Sequence, residues 1–204
     1  MKEYHLPFFA NRPDWAEVPA ITDFSSPWTS TSFPATAFQA YHDGILLYFR
    51  FTAQGPNPKV WVKENLKMEV LKSERVELFF RKDEAMKPYF CLEIDPHGRV
   101  LDYESAFYRQ SNRAWQWPHN LHIHAHIGTE GYSVEGVIRL SALEQLGVLH
   151  KNEMQVGVYR GHCTHLENEE ATLEWYTWVD PKTETPDFHV PASFGRWVLE
   201  NMPD

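Results

Sequence analysis

Cysteine is scarce in this sequence: the 204 residues hold two, Cys91 and Cys163, both in or beside strand-like runs. That excludes a disulfide-dense scaffold and reads as free thiols in a reducing compartment. Long apolar runs are missing as well, and nothing approaches the roughly 20 residues with which a helix crosses a bilayer. The opening Met-Lys-Glu-Tyr-His-Leu-Pro has neither the apolar stretch nor the cleavage site of a secretory leader. The expectation is a soluble, cytoplasmic protein, or a secreted or periplasmic one if a leader has been trimmed away. Positive charge is short: 19 Lys and Arg against 28 Asp and Glu leave a formal net charge of −9. Nucleic acid and anionic membrane would both be repelled by that field, so neither is expected as a partner. A Gly-rich phosphate loop, a Gly-x-Ser-x-Gly elbow and a His-Glu-x-x-His helix are all lacking, which leaves nucleotide, esterase and metalloprotease chemistry without support.

Aromatic residues, by contrast, are plentiful, with 8 Trp, 9 Tyr and 13 Phe, while 14 Pro and 10 Gly punctuate short runs of β-branched and aromatic residues. This is the pattern of many short strands joined by turns. Strands are predicted at Ile45 to Phe51, Arg75 to Arg81, Tyr89 to Asp95, Arg99 to Tyr103, His122 to Ile127, Tyr132 to Leu140, Met154 to Arg160, Leu173 to Val179 and Trp197 to Leu199. The one helical segment is Ser141 to Leu146, with Ser141 as N-cap, Glu144 as its capping-box partner and Gly147 as the stop. The fold class that follows is all-β: a jelly-roll-like β-sandwich of two antiparallel sheets with one short helix, a single domain over residues 1–204.

Alternation assigns faces. Val76, Leu78 and Phe80 point to the core and Arg75, Glu77, Phe79 and Arg81 away from it; Phe90, Leu92 and Ile94 point inward and Tyr89, Cys91 and Glu93 outward. If the strands are neighbours, one outer face gathers Glu77, Glu93, Glu135, Gln155 and Tyr159, with Arg75 and Arg81 beside them. Either these charges form a cross-strand salt-bridge network or they are the polar contacts of a ligand site. Trp175 and Trp178, three apart on a strand, face opposite sides, so one or both can belong to the core. The irregular stretch from Asp180 to Pro191, with three prolines, reads as a long loop of the kind that borders binding sites. His122, His124 and His126 share one face of their strand. That spacing can chelate a transition metal, but with no local carboxylate or cysteine to complete a set it reads better as a polar sheet surface.

Four stretches taken in order carry a resemblance: Asp43-Gly44-Ile45-Leu46-Leu47-Tyr48, Ser73-Glu74-Arg75-Val76-Glu77-Leu78-Phe79-Phe80, Gly131-Tyr132-Ser133-Val134-Glu135 and Phe194-Gly195-Arg196-Trp197-Val198-Leu199. The chain resembles the family 9 carbohydrate-binding modules associated with xylan-degrading enzymes. The resemblance implies a β-sandwich that binds sugars on one sheet, often with structural calcium, and without catalytic machinery. It also implies a slot between two tryptophans. One is matched through Trp178-Val179-Asp180-Pro181, which makes Trp178 the expected stacking platform. The position of the other falls at Val70 and Leu71, with Trp115 or Trp117 as a replacement from a neighbouring loop. Glu77 matches the family's acidic residue, while Glu93 stands where the family has an arginine.

The function expected from the resemblance is binding of a xylan- or cellulose-type oligosaccharide in polysaccharide catabolism, with ligand contacts from Trp178, Trp175, Trp115, Glu77, Glu93, Arg75 and Tyr159. Two alternatives stay open. Glu77 and Glu93 on adjacent strands suit the acid and nucleophile of an endoxylanase-like glycoside hydrolase, which needs carboxyl groups about 5 Å apart. Leu71 in place of a clamp tryptophan suits an interaction domain whose sugar site has decayed.

Overall fold

The computed structural model of the protein describes residues 1–30 and 32–201. In chain order the strands are β1 (Glu3–Leu6), β2 (Ala20–Ile21), β3 (Thr36–His42), β4 (Leu46–Gln54), β5 (Arg75–Arg81), β6 (Tyr89–Ile94), β7 (Val100–Ala106), β8 (Gln110–Asn112), β9 (His122–Ile127), β10 (Gly131–Arg139), β11 (Glu153–Glu167), β12 (Glu170–Thr177) and β13 (Gly195–Leu199). They make two sheets. The large one runs β1-β13-β11-β5-β6-β7-β8, with β12 also paired to β11, and the small one runs β2-β3-β4-β10-β9. Among the described residues all strand pairs are antiparallel except β1 with β13, which is parallel. The two-sheet sandwich expected from the sequence is therefore present, with this one departure from an all-antiparallel arrangement.

Strict alternation fills the space between the sheets. Phe38, Phe49, Phe51 and Val134 from the small sheet meet Val76, Leu78, Phe80, Leu92, Val156, Val158 and Trp197 from the large one, all buried in one cluster. Phe38 stacks on Trp197 at 5.1 Å and meets the Phe51 ring edgewise at 4.8 Å. Full burial of each such side chain contributes roughly 1.5–3 kcal/mol, so this aromatic layer is the main stabilising feature of the fold.

β5 and β6 are buried along their whole length on both faces. The outer face of the large sheet, expected to be a polar surface, is roofed by a second apolar layer that includes Phe79, Tyr103, Tyr159, Phe188 and Phe194. Phe188 and Phe194 come from the proline-punctuated segment after β12, where proline has no N–H with which to continue a ladder. The segment crosses the sheet as a strap instead.

Two expectations are corrected here. Glu135 lies on β10, which pairs with β4 and β9 in the small sheet, so it is on the other side of the molecule from Glu77 and Glu93. Alternation fixes a residue's face on its strand but not which sheet the strand joins. Helix α1 spans Leu140–Gln145 and has no side-chain cap, with Arg139 rather than Ser141 at the N-cap position. The reason is that β10 runs straight into α1, and the Leu140 N–H is held by the Ile45 carbonyl at 2.9 Å. The stop is as expected: Gly147, at φ +69°, donates its N–H to the Glu144 carbonyl.

Candidate functional site

On the outer face of the large sheet, between the strap and the short helical turn Lys67–Lys72, a cleft of about 290 Å³ opens, with Leu71, Arg75, Glu77, Glu93, Trp175 and His189 among its lining residues. This is at the small end of ligand pockets, which run to roughly 300–1,000 Å³, and suits one or two rings rather than a long chain.

The floor is a buried charge cluster. The register of β5 against β6 sets Glu77 directly opposite Glu93, an arrangement that repels unless a cation intervenes. Arg75 intervenes. Its Nε donates to Glu77 Oε1 at 2.8 Å and makes an ion contact of 2.7 Å with Glu93 Oε2. A second donor, the Tyr103 hydroxyl, reaches Glu93 Oε1 at 2.8 Å. Arg75 Nη1 holds the turn in place by donating to the Leu71 carbonyl at 3.1 Å. One guanidinium between two buried carboxylates leaves an excess of negative charge, and burial, followed by the neighbouring Glu93 charge, pushes the Glu77 carboxyl up to about 8. Glu77 Oε2 accepts no hydrogen bond, and Glu93 Oε2 has the Arg75 contact alone. Buried oxygens so sparsely paired are costly.

The flat wall is Trp175. It projects from β12 over Gly161 of β11, its register partner, where an added Cβ would stand 2.8 Å from the indole carbon Cζ3. Glycine at that position is what lets the ring lie against the sheet, and Arg75 is held beneath the ring at 4.8 Å from its centroid. A cation under one face of an indole is a stabilising contact, so the guanidinium fixes the platform and the carboxylates together. On the strap side, Phe188 stacks on Tyr159 at 4.2 Å, and His189 bonds to the Tyr89 hydroxyl at 2.8 Å. Burial drives His189 down to about 4, so the ring is neutral and packs as an aromatic wall. Arg109, near the mouth, is committed to Asp187 at 2.9 Å.

Of the expected site residues, the structure brings Arg75, Glu77, Glu93, Trp175 and Leu71 to one cleft. Trp178, expected as the platform, is 2% exposed in the main core, on the side opposite Trp175 as the three-residue spacing requires. It packs where an added Cβ on Gly195 would sit 2.3 Å from its ring. Tyr159 is fully buried under Phe188, and its hydroxyl is spent on Ser193 Oγ at 2.7 Å. Trp115 and Trp117 pack against the inward-facing Phe90 and Phe80, so neither replaces the missing clamp residue. Gln155 is taken by Arg81. Sequence reasoning missed His189 and Phe188, whose only signal was a loop rich in proline. The three alternating histidines lie exposed on β9. Among the described residues no group of three or more His, Cys, Asp or Glu side chains is arranged to hold a metal ion.

A β-sandwich with an aromatic-walled, carboxylate-floored cleft on one sheet is thus the class that the structure defines. Three solved structures are similar to it. A candidate carbohydrate-binding protein from Bacteroides uniformis matches with a TM-score of 0.73 at 17% identity, over 98% of this chain and 99% of that one. A family 9 carbohydrate-binding module from Caldicellulosiruptor kristjanssonii in complex with glucose matches at 0.62 and 14% identity, over 100% of this chain and 98% of that one. The family 9 module from that organism in complex with cellotriose matches at 0.63 and 14%, over 100% and 96%. By sequence, no protein-family model and no curated protein matches the chain. The chain has the fold of the family 9 modules along its whole length.

Proposed function

We propose that the protein binds a saccharide in the cleft over Arg75, Glu77 and Glu93, taking one or two rings of a neutral xylan- or cellulose-type oligosaccharide. One observation carries the reading: the indole of Trp175, fixed over Arg75, shares one cleft with the Arg75, Glu77 and Glu93 cluster. A pyranose offers both complements at once, an apolar C–H face for the ring and O–H donors for the carboxylates. The glucose and cellotriose complexes of structures that share the fold support it. Hydrolysis is disfavoured on the same geometry. The acid and nucleophile of a retaining glycosidase flank a scissile bond, and here the space between the two carboxylates is filled by the Arg75 guanidinium.

Calorimetric titration with cello- and xylo-oligosaccharides tests the proposal. Saturable heat that is weakened at least tenfold by Trp175→Ala, with no reducing sugar released on long incubation, is the expected result. Heat unaffected by that substitution, or absent with every neutral oligosaccharide, would overturn it.

A further inference from the structure

The outer face of the small sheet is built quite differently from that of the large one. Register places two rows of side chains across it: Tyr41, Tyr48, Val137 and His122 in one, and Gln39, Arg50, Glu135 and His124 in the next. No strap covers them. The segment carrying Arg12 and Trp15 lies along one side, tied down by Gln39 Nε2, which donates to the Trp15 and Val18 carbonyls at 2.6 and 2.8 Å. Between this segment and the sheet is a cavity of about 380 Å³, larger than the cleft on the opposite face. Its aromatic side is rigid: Tyr41 and Tyr48 stack at 4.7 Å and 10°, and the Trp15 edge meets Tyr41 at 5.4 Å.

Two donors on this face lack acceptors. Trp15 Nε1, in the cavity wall, and Arg50 Nε, beside Glu135 and outside that wall, are both buried without a hydrogen-bond partner. The carboxylate nearest Arg50, Glu135 Oε1, is 3.7 Å away, and the other Glu135 oxygen already accepts from Arg12 at 3.3 Å. Asp43 is turned toward its own turn, where it accepts from the Ile45 and Leu46 amides and from the Tyr48 hydroxyl. Exposed His122 and His124 add two further ring edges. The unmet need is for acceptors.

We propose that this cavity is a second ligand site and that it takes a carboxylate-bearing saccharide, a uronic-acid oligomer whose ring stacks on Tyr48 while its carboxylate and ring oxygens meet Arg12 and the Trp15 indole N–H. The negative charge of the whole chain does not forbid this. Fields from charges more than about 8 Å away are largely screened at physiological salt, so the local arginines decide. The inference stands apart from the reading of the first cleft, because none of its residues is shared with that cleft.

The test uses the full chain carrying Trp175→Ala, which disables the first cleft, titrated calorimetrically with galacturonate oligomers and with cello-oligomers. Saturable heat with the uronate, weaker in 0.5 M than in about 0.05 M salt as expected for charge contacts, and reduced at least tenfold by Tyr48→Ala, is the expected result. Arg12→Gln, at an exposed side chain that leaves the fold untouched, is expected to weaken it several-fold and guards against misfolding of the other variant. No heat with the uronate, equal affinity for the neutral oligomer, or indifference to both substitutions would each overturn the proposal.

Discussion

Glu77 and Glu93 oppose one another across β5 and β6 with a single arginine to share, and the consequence is a proton held above its ordinary range. The folded carboxyl of Glu77 is raised from 4.5 to about 8, so below pH 4.5 both folded and unfolded chains hold the proton. Between those values only the folded one does, and its stability falls as pH rises through the window. His189 runs the opposite way over part of the range: its folded value is lowered from 6.5 to about 4, so its contribution is present above pH 6.5 and is lost as pH falls toward 4. A wild-type profile mixes the two. Glu77→Gln isolates the carboxylate, because glutamine keeps the acceptor for Arg75 without the charge. The variant is expected to match the wild type in thermal unfolding at pH 5 and to exceed it by about 5 °C at pH 9, a range typical of one to two kcal/mol in a chain of this size. Equal melting at both pH values would mean that Glu77 is not the group holding the proton. These residues were readable from alternation alone, and so was the opposite facing of Trp175 and Trp178. Which of the two indoles meets the cleft was not readable, since that depends on what lies over each sheet face.

At the scale of elements, the strap after β12 decides whether the outer face of the large sheet is a surface or a second core. Phe188 is its anchor, 5% exposed and stacked on Tyr159, and Ser193 ties the strap to the same tyrosine. Phe188→Ala removes a buried ring from the roof and a wall from the cleft, at a cost of about 3–5 kcal/mol. Tyr159→Phe removes only the hydroxyl and costs about 1 kcal/mol. Urea unfolding should separate the two by that margin. In saccharide titrations Phe188→Ala is expected to weaken binding at least tenfold and Tyr159→Phe less than twofold, because the buried hydroxyl reaches Ser193 and not the cleft. A larger effect from Tyr159→Phe would restore it as a ligand contact. Period-two patterning located β9 over its full extent, since its alternation is uninterrupted, and β5 as well, where only Phe79 breaks the pattern. It did not reveal β1 or β3. Glu3–Leu6 is short, and its pairing with β13 bridges nearly the whole chain length, while the Thr-Ala-Phe-Gln-Ala-Tyr-His of β3 mixes small and large residues on both faces. The strap was legible as a loop with three prolines but not as a roof, because its anchoring aromatics, Phe188 and Phe194, stand apart from one another with prolines and polar residues around the first.

Across the whole molecule, the layers stack as strap, large sheet, aromatic core and small sheet, and one end of the stack is pinned by an ion pair rather than by packing. Arg160, on β11 of the large sheet and 1% exposed, donates from Nε to Glu74 Oε1 at 2.8 Å. It also reaches across to the small sheet, to the Gln54 carbonyl at 2.7 Å and Thr36 Oγ1 at 3.1 Å. Glu74, at the start of β5 in the same sheet, makes a second crossing by accepting from the Tyr132 hydroxyl of β10 at 3.2 Å, and its second oxygen takes the Cys163 N–H at 2.6 Å and His162 Nδ1 at 2.9 Å. Burial acts to raise Glu74, but the His162 hydrogen bond and the Arg160 charge outweigh it and hold the carboxyl below its ordinary value. The pair therefore stays charged at neutral pH with nearly every lone pair satisfied, the condition under which a buried ion pair is tolerated. Removing one partner alone leaves the other buried and uncompensated, so Arg160→Met is expected to cost about 3–5 kcal/mol. Adding Glu74→Gln to that variant abolishes the stranded charge while keeping an acceptor for Tyr132 and Cys163, and the double variant is expected to recover about 1.5–3 kcal/mol relative to the sum of the singles. A double-mutant cycle in urea checks this. Additive losses would show that Glu74 and Arg160 each reach the small sheet independently, whereas a strong coupling means that the two sheets are joined at this end through a single shared pair.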